Sequence, residues 1–194
     1  MRPATHALIG GAATAALAPS LGWPASALFG LASVFIDVDH YLDFLYYNGG
    51  KSWSLRKAYL FHLRLTCHHH RKDFLVLNVL HTTEAFILIL LLALWSGSLW
   101  LQAIWAGMIF HYLCDLSMMF RRRILHVRAH SLLEYWIRRR RLAQAGLSPD
   151  NPYLDTLKEL QAGGNPSLIA QSSPSPRAAA LPAKASGHID SVVV

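Results

Sequence analysis

Two long apolar runs lie in the middle of the chain, and together they predict a membrane hairpin. The first covers residues 74–95 and the second residues 98–119, so each contains 22 residues. A helix of that length rises about 1.5 Å per residue and can cross a hydrocarbon core of about 30 Å. The pattern therefore predicts two spanning helices joined by a short turn.

Each run is interrupted by a pair of ionisable residues. His81 and Glu84 are three positions apart in the first run, and His111 and Asp115 are four apart in the second. Residues at these spacings share one face of a helix. Ionisable groups inside a membrane are costly and by default mark a functional site. The alternative is that they only form hydrogen bonds between the two helices.

Two shorter apolar runs precede the hairpin, at residues 4–18 and 23–36, and Pro19 and Pro24 flank the break between them. They predict a first hairpin of short helices. The first run also resembles a secretory signal peptide, but the second begins too soon after it to favour cleavage. Helices this short can be tilted, re-entrant or interfacial rather than fully spanning.

Three further segments predict helices outside the membrane. Residues 53–66 and 124–145 combine apolar and basic positions as in helices that lie on a membrane surface, and 148–161 predicts a short helix with Pro152 at its start. The remainder is rich in Ala, Pro and Ser, which is typical of disorder. The predicted regions are a membrane helical domain (1–123), basic cytoplasmic surface helices (124–161) and a disordered tail (162–194).

Composition supports a membrane protein, because 53% of the 194 residues are hydrophobic and 15% are charged. We therefore predict an all-α integral membrane bundle of about four helices with cytoplasmic amphipathic helices. The net charge of +7 is concentrated in residues 48–73 and in the later Arg-rich segments. Basic loops stay in the cytoplasm, so both termini are predicted there. The expected partners are membrane lipids and their anionic headgroups rather than nucleic acid.

In this topology the polar residues converge beneath the cytoplasmic face. The dense string Asp37-Val38-Asp39-His40 follows the second helix, and it lies at the same level as the two pairs in the hairpin. Imidazole and carboxylate groups are ligands of zinc, manganese and iron, and a cation would offset the buried negative charge. We predict one or two divalent ions, zinc in first place, with Glu84 or a carboxylate left uncoordinated as general base. The ligands predicted from this convergence are Asp37, Asp39, His40, His81, His111 and Asp115, and His6 lies in the same zone at the start of the first helix.

Several of these strings resemble the motifs of a known family. THALIGG near the start, DVDH after the first hairpin and HYLCD in the last helix are similar to those of the bacterial membrane-bound metal-dependent hydrolases, also described as LexA-binding and inner-membrane-associated. The resemblance covers roughly residues 1–120. Ile36 stands where the family usually has proline, and LHTTE replaces its usual THS string. The resemblance implies that His6 is a further metal ligand and that the protein is a hydrolase of the bacterial inner membrane. A remoter similarity to zinc-dependent phospholipase C suggests phosphodiesters as substrates by analogy.

Three other functions fit the same residues. The ligands could serve a non-catalytic metal carrier or sensor. His81 and His111 could be axial ligands of a haem in an electron-transfer protein. The chain could also be a structural scaffold, in which case alanine at these positions would change neither metal content nor phenotype. The oligomeric state is not predicted.

Overall fold

The computed structural model describes residues 3–163, and this part of the chain is helical, with one isolated bridge between Val76 and Arg128 in place of a sheet. The all-α prediction is confirmed for these residues. The helices are α1 (Pro3–Leu21), α2 (Trp23–Phe35), α3 (Val38–Tyr47), α4 (Leu55–Leu65), α5 (Thr83–Ser96), α6 (Leu99–Arg121), α7 (Leu132–Gln144) and α8 (Asn151–Gln161). Short 3-10 turns lie at Thr66–His68, Val79–His81 and Leu125–Val127.

Helices α1, α2, α5 and α6 form the first packing unit. Helix α2 packs against both α1 and α6, and α5 packs along α6. The predicted break between the first two helices is confirmed at Gly22, whose φ of 76° is a conformation that glycine adopts without steric cost. Side chains at the α2–α6 contact, such as Phe29 and Ala103, are buried.

A second apolar cluster joins α3, α4 and α8. Its buried members include Phe44, Phe61 and Leu65, together with Tyr153 and Leu157 from α8. Helix α8 is held further by an ion pair in which Arg71 contacts Asp155 at 2.8 Å. The helix predicted at 148–161 is thus present and packs against the rest of the molecule. Helix α4 confirms the predicted helix within residues 53–66.

The first half of the long run 74–95 is not helical, so the prediction of a 22-residue helix there is wrong. Residues 74–78 are largely extended, and the backbone of Val76 bonds to Val127 O at 2.9 Å and to Ala129 N at 3.0 Å. Helix α5 begins only at Thr83, because the Thr82 hydroxyl accepts a hydrogen bond from Ala85 N and caps the helix. An apolar run alone does not separate a buried extended segment from a helix.

The predicted surface helix 124–145 also begins later than expected. Helix α7 starts at Leu132. Ser131 accepts a hydrogen bond from Glu134 N, and the Glu134 carboxylate accepts one from His130 N, the residue before the N-cap, in a variant of the capping box. Residues 128–130 are instead engaged by other elements, since His130 O accepts a bond from Thr83 N at 2.9 Å. The start of α7 is therefore fixed to the start of α5.

By length and composition, α6 could cross a membrane, and α5 is a shorter apolar helix. The four-span arrangement stays a prediction. The tail predicted to be disordered lies, from residue 164 onward, outside the described residues.

Candidate metal centre

Four of the predicted ligands come together where the helical bundle meets α3. One donor atom from each of Asp37, His81, His111 and Asp115 lies within 4.8 Å of the other three. Asp37 Oδ1 is 3.2 Å from His111 Nε2 and 3.6 Å from His81 Nε2. His111 Nε2 is 3.8 Å from Asp115 Oδ2. We call these four residues the ligand cluster, and it can hold a metal ion.

Three separate parts of the chain supply the ligand cluster. Asp37 lies in the break between α2 and α3, and His81 ends the 3-10 turn that precedes α5. His111 and Asp115 are one turn apart on the buried face of α6, as their spacing predicts. His81 and Glu84 do not share a helical face, because the cap at Thr82 separates the turn that holds His81 from α5.

The outer nitrogen of each histidine in the ligand cluster has a fixed acceptor. His111 Nδ1 lies 2.6 Å from the carbonyl oxygen of Ser33, and His81 Nδ1 lies 3.1 Å from Asp39 Oδ2. A carbonyl or carboxylate oxygen only accepts, so Nδ1 of each ring carries a proton, and Nε2 is the nitrogen that faces the cluster. Metal-binding histidines in proteins are held by this kind of outer hydrogen bond.

The inner atoms of the cluster have short contacts but not hydrogen-bond geometry. Asp37 Oδ1, His81 Nε2 and His111 Nε2 are buried and have no hydrogen-bond partner among residues 3–163. Buried polar atoms are nearly always hydrogen-bonded, and leaving them without partners is costly. A cation bound between these convergent donor atoms would give each of them a partner.

Protonation states in the cluster also suit a cation. Burial by itself would raise the pKa of Asp37, but contact with His111 and the charges of His40 and His81 hold that pKa below its ordinary value. Burial lowers the pKa of His81, more than its hydrogen bond with Asp39 raises it. At Asp37 the result is a carboxylate, which is the form that binds metal ions.

The other three predicted ligands surround the cluster, each in contact with one of its members. His6 Nε2 is 3.2 Å from Asp115 Oδ1, and the His6 ring stacks on His111 with centroids 4.1 Å apart. Asp39 accepts from His81, as described, and also from Leu80 N at 2.8 Å. His40 Nε2 is 3.5 Å from Asp37 Oδ1. These residues position the ligand cluster, and His6 and His40 extend its donor set on two sides.

Glu84, the predicted general base, lies in the first turn of α5. Its Oε1 accepts a hydrogen bond from Leu132 N, the first residue of α7, at 3.0 Å. Its Oε2 is buried without a hydrogen-bond partner among the described residues. The carboxylate thus stabilises the beginning of α7, and its role as a base stays a prediction.

Sequence reasoning missed three groups that complete the site. Arg128 donates from Nη2 to Asp115 Oδ2 at 3.0 Å, Asn78 contacts His40 Nδ1 at 3.1 Å, and Ser33 contributes its carbonyl oxygen to His111. A backbone carbonyl leaves no signal in the sequence. Arg128 was missed because it lies in the basic segment 124–145, whose pattern predicts a helix on the membrane surface.

The haem alternative meets a steric objection. A haem between His81 and His111 needs a flat macrocycle between their Nε2 atoms, each of which would bind the iron. Asp37 Oδ1 already lies within 3.6 Å of both nitrogens, and Asp115 borders the same space. The arrangement favours a single ion over a macrocycle.

Comparisons with known proteins add no assignment. No family model matches the chain, and neither the curated proteins nor the solved structures contain a match.

Proposed function

We propose that this protein is a membrane-embedded, metal-dependent hydrolase that acts on an ester at the cytoplasmic membrane face. The observation that carries the proposal is the ligand cluster, in which two imidazole nitrogens and two carboxylate oxygens converge within 4.8 Å. Three of those residues, His81, His111 and Asp115, are at most 4% exposed. Such a donor set is typical of zinc in hydrolases, and it also accepts manganese or iron.

Charge supports a divalent ion. Asp37, Asp39 and Asp115 bring three negative charges, and the contact of Arg128 with Asp115 offsets one of them. The remaining two negative charges equal the charge of one divalent cation, and in a poorly solvated site such a balance is strongly favoured. A measured content of one or of two ions per protein molecule tests whether His6 or His40 helps to hold a second ion.

A divalent ion at this position would supply Lewis acidity for an ester oxygen and would lower the pKa of a bound water. The residues of the chain supply the positioning. Asp39 and the Ser33 carbonyl hold the two imidazoles with Nε2 facing inward. His81 and His111 are at most 1% exposed, and charge interactions are stronger where little bulk water surrounds the charges.

Membrane embedding is supported by apolar side chains on the surface of the bundle. Helix α5 exposes large apolar residues over a wide arc, with Trp95 at 87% and Leu94 at 65% exposure. Helix α6 adds Leu99, Trp100, Leu113 and Phe120. Apolar patches of this extent mark contact with lipid or with another protein. Because α5 has 14 residues and rises about 21 Å, it would reach only part of the way across a bilayer.

Metal content is the first test of the proposal. Detergent-purified wild-type protein is dialysed against zinc, manganese or iron and then analysed for bound metal, beside His111→Ala and Asp37→Asn. We expect near-stoichiometric metal in the wild type and a loss of affinity of about tenfold or more in both variants, since each removes one donor of the cluster. His70→Ala is the matched control, because His70 is exposed and lies outside the cluster.

Wild-type protein that retains none of the three metals would contradict the proposal. A second measurement separates the hydrolase from a metal carrier. Metal-loaded protein is incubated with chromogenic carboxylic and phosphoric esters, and turnover must disappear in His111→Ala. Bound metal without turnover on either class would favour the carrier.

A further inference from the structure

Arg128 is a buried cation, and hydrogen bonds of the residues before and after it hold its backbone in place. Its residue is 7% exposed, and its neighbours Val127 and Ala129 form the two hydrogen bonds with Val76 described above. The side chain of Arg138 donates to the Arg128 carbonyl oxygen at 3.2 Å. Backbone hydrogen bonds therefore hold this arginine in place, in addition to its ion pair with Asp115.

The Arg128 guanidinium reaches the ligand cluster with only part of its hydrogen-bonding capacity in use. Nη2 donates to Asp115 Oδ2 at 3.0 Å, whereas Nη1 is buried and has no hydrogen-bond partner within the described part of the chain. A guanidinium carries five N–H donors in a planar fork, and burying one of its nitrogens without an acceptor is costly. An acceptor that the chain itself does not supply would remove this cost.

That acceptor would lie beside the metal. Asp115, which holds Arg128 Nη2, is also a member of the ligand cluster and lies 3.8 Å from His111 Nε2. A small oxyanion bound between the ion and Nη1 would contact both positive charges at once.

We propose that Arg128 is a substrate-binding residue whose Nη1 donates to a phosphoryl oxygen, so that the substrates are phosphate esters. This inference rests on the proposed function. A phosphate ester offers two or more non-bridging oxygens, one for the ion and one for the guanidinium, and the planar fork suits this geometry. A carboxylic ester has one carbonyl oxygen, which the ion would occupy.

The corresponding reaction is hydrolysis. The water oxygen forms a new bond to phosphorus, the ester P–O bond breaks, and one proton from the water ends on the leaving alcohol. Arg128 and the ion together stabilise the negative charge on the non-bridging oxygens, which is the main contribution of proteins to phosphoryl transfer.

The test is phosphate binding to zinc-loaded protein, measured by isothermal titration calorimetry with inorganic phosphate as the probe. The proteins are wild type, Arg128→Lys and Arg128→Gln, with Arg122→Gln as matched control because Arg122 is an exposed arginine outside the site. Zinc content is measured in each sample and also reports folding. We expect zinc to be retained in all four proteins, and phosphate affinity to fall about tenfold or more in both Arg128 variants only.

Three results would overturn the inference. The first is wild-type protein that holds zinc but does not bind phosphate. The second is an Arg128→Lys variant that binds phosphate as tightly as the wild type. Loss of zinc from both Arg128 variants would show that Arg128 acts only by holding Asp115. By contrast, wild-type protein that does not bind zinc would contradict the proposed function. If such protein still bound phosphate, and did so only with Arg128 present, the anion-binding role of Arg128 would be supported.

The phosphoryl group can come from a soluble compound or from a lipid headgroup, and short-chain phosphatidic acid distinguishes them. Tighter binding than inorganic phosphate, lost in Arg128→Lys, would support the inference with a lipid as source. Equal affinities with the same loss would support it with a soluble ester as source.

Discussion

At the scale of single residues, the ligand cluster depends on which nitrogen of each histidine is free. The Ser33 carbonyl accepts a hydrogen bond from His111 Nδ1, and the Asp39 carboxylate accepts one from His81 Nδ1. Both Nε2 atoms therefore face Asp37. Removing such an outer partner in metalloproteins lowers metal affinity by about 10–100-fold. The residues around the cluster are therefore as important to it as the donors themselves.

Glu84→Gln separates the two roles of this side chain. We expect hydrolysis to fall by less than about tenfold, because the Glu84 carboxylate is bonded to the start of α7 and glutamine keeps an acceptor for Leu132 N. Loss of a general base would instead lower the rate by about 10²–10⁴-fold. The measurement is turnover of metal-loaded protein at fixed metal content. A loss in that larger range would assign the base to Glu84.

Much of the site was predictable from residue identity and spacing. The His111 and Asp115 spacing places both on one face of α6, and the DVDH string lies next to them. The seven predicted ligands all lie in the cluster or in contact with it. Arg128 was not predictable, because its burial results from the pairing of its segment with Val76, which no local pattern indicates.

At the scale of elements, the close approach of α2 and α6 places the second nitrogen of His111. A Cβ atom on Gly107 would collide with the backbone carbonyl of Phe29. One turn further along both helices, the Ser33 carbonyl meets His111 Nδ1 at 2.6 Å. The absence of a side chain at Gly107 thus allows the helix spacing that the hydrogen bond requires.

Gly107→Ala is expected to destabilise the protein by about 1–3 kcal/mol, because the neighbour is backbone and cannot rotate away. It should also weaken metal binding, since separating α2 from α6 pulls Ser33 from His111. Thermal unfolding in detergent and metal titration measure the two effects. Gly11→Ala is the control, because a Cβ there meets nothing within 4 Å and alanine favours a helix. Equal behaviour of the two variants would contradict this explanation.

The element boundaries were less predictable than the elements. Helix α6 matches the second apolar run closely, whereas α5 and α7 begin eight or nine residues later than expected. In each case polar residues inside the run cap a helix, Thr82 for α5 and Ser131 with Glu134 for α7. The string Ser131-Leu-Leu-Glu134 is a capping-box signature, so the α7 start was available in the sequence.

At the scale of the whole molecule, orientation in the membrane can be tested with the native cysteines. Cys67 is exposed in the turn after α4, whereas Cys114 is only partly exposed on α6. If the basic central loop is cytoplasmic, a membrane-impermeant maleimide should label Cys67 in inverted vesicles and leave it unlabelled in spheroplasts. Burial, and then the charge of Glu159, raise the pKa of the Cys67 thiol, so labelling is best done at about pH 8.5.

Mass spectrometry of the labelled protein checks the position, with Cys67→Ser as control. Labelling in spheroplasts would place the loop, and with it the proposed site, on the opposite side of the membrane.

The pairing of Val76 with the residues around Arg128 has a consequence for any shortened version of the protein. A chain ended after Arg123 would keep all seven predicted metal-binding side chains, yet it would lose both backbone partners of Val76 and the counter-ion of Asp115. The N–H and C=O groups of Val76, a buried residue, would then lack these hydrogen-bond partners, and Asp115 would lose the Arg128 guanidinium while it keeps its contacts with His6 and His111. A fragment of this kind would report on an incomplete site, however intact its helices.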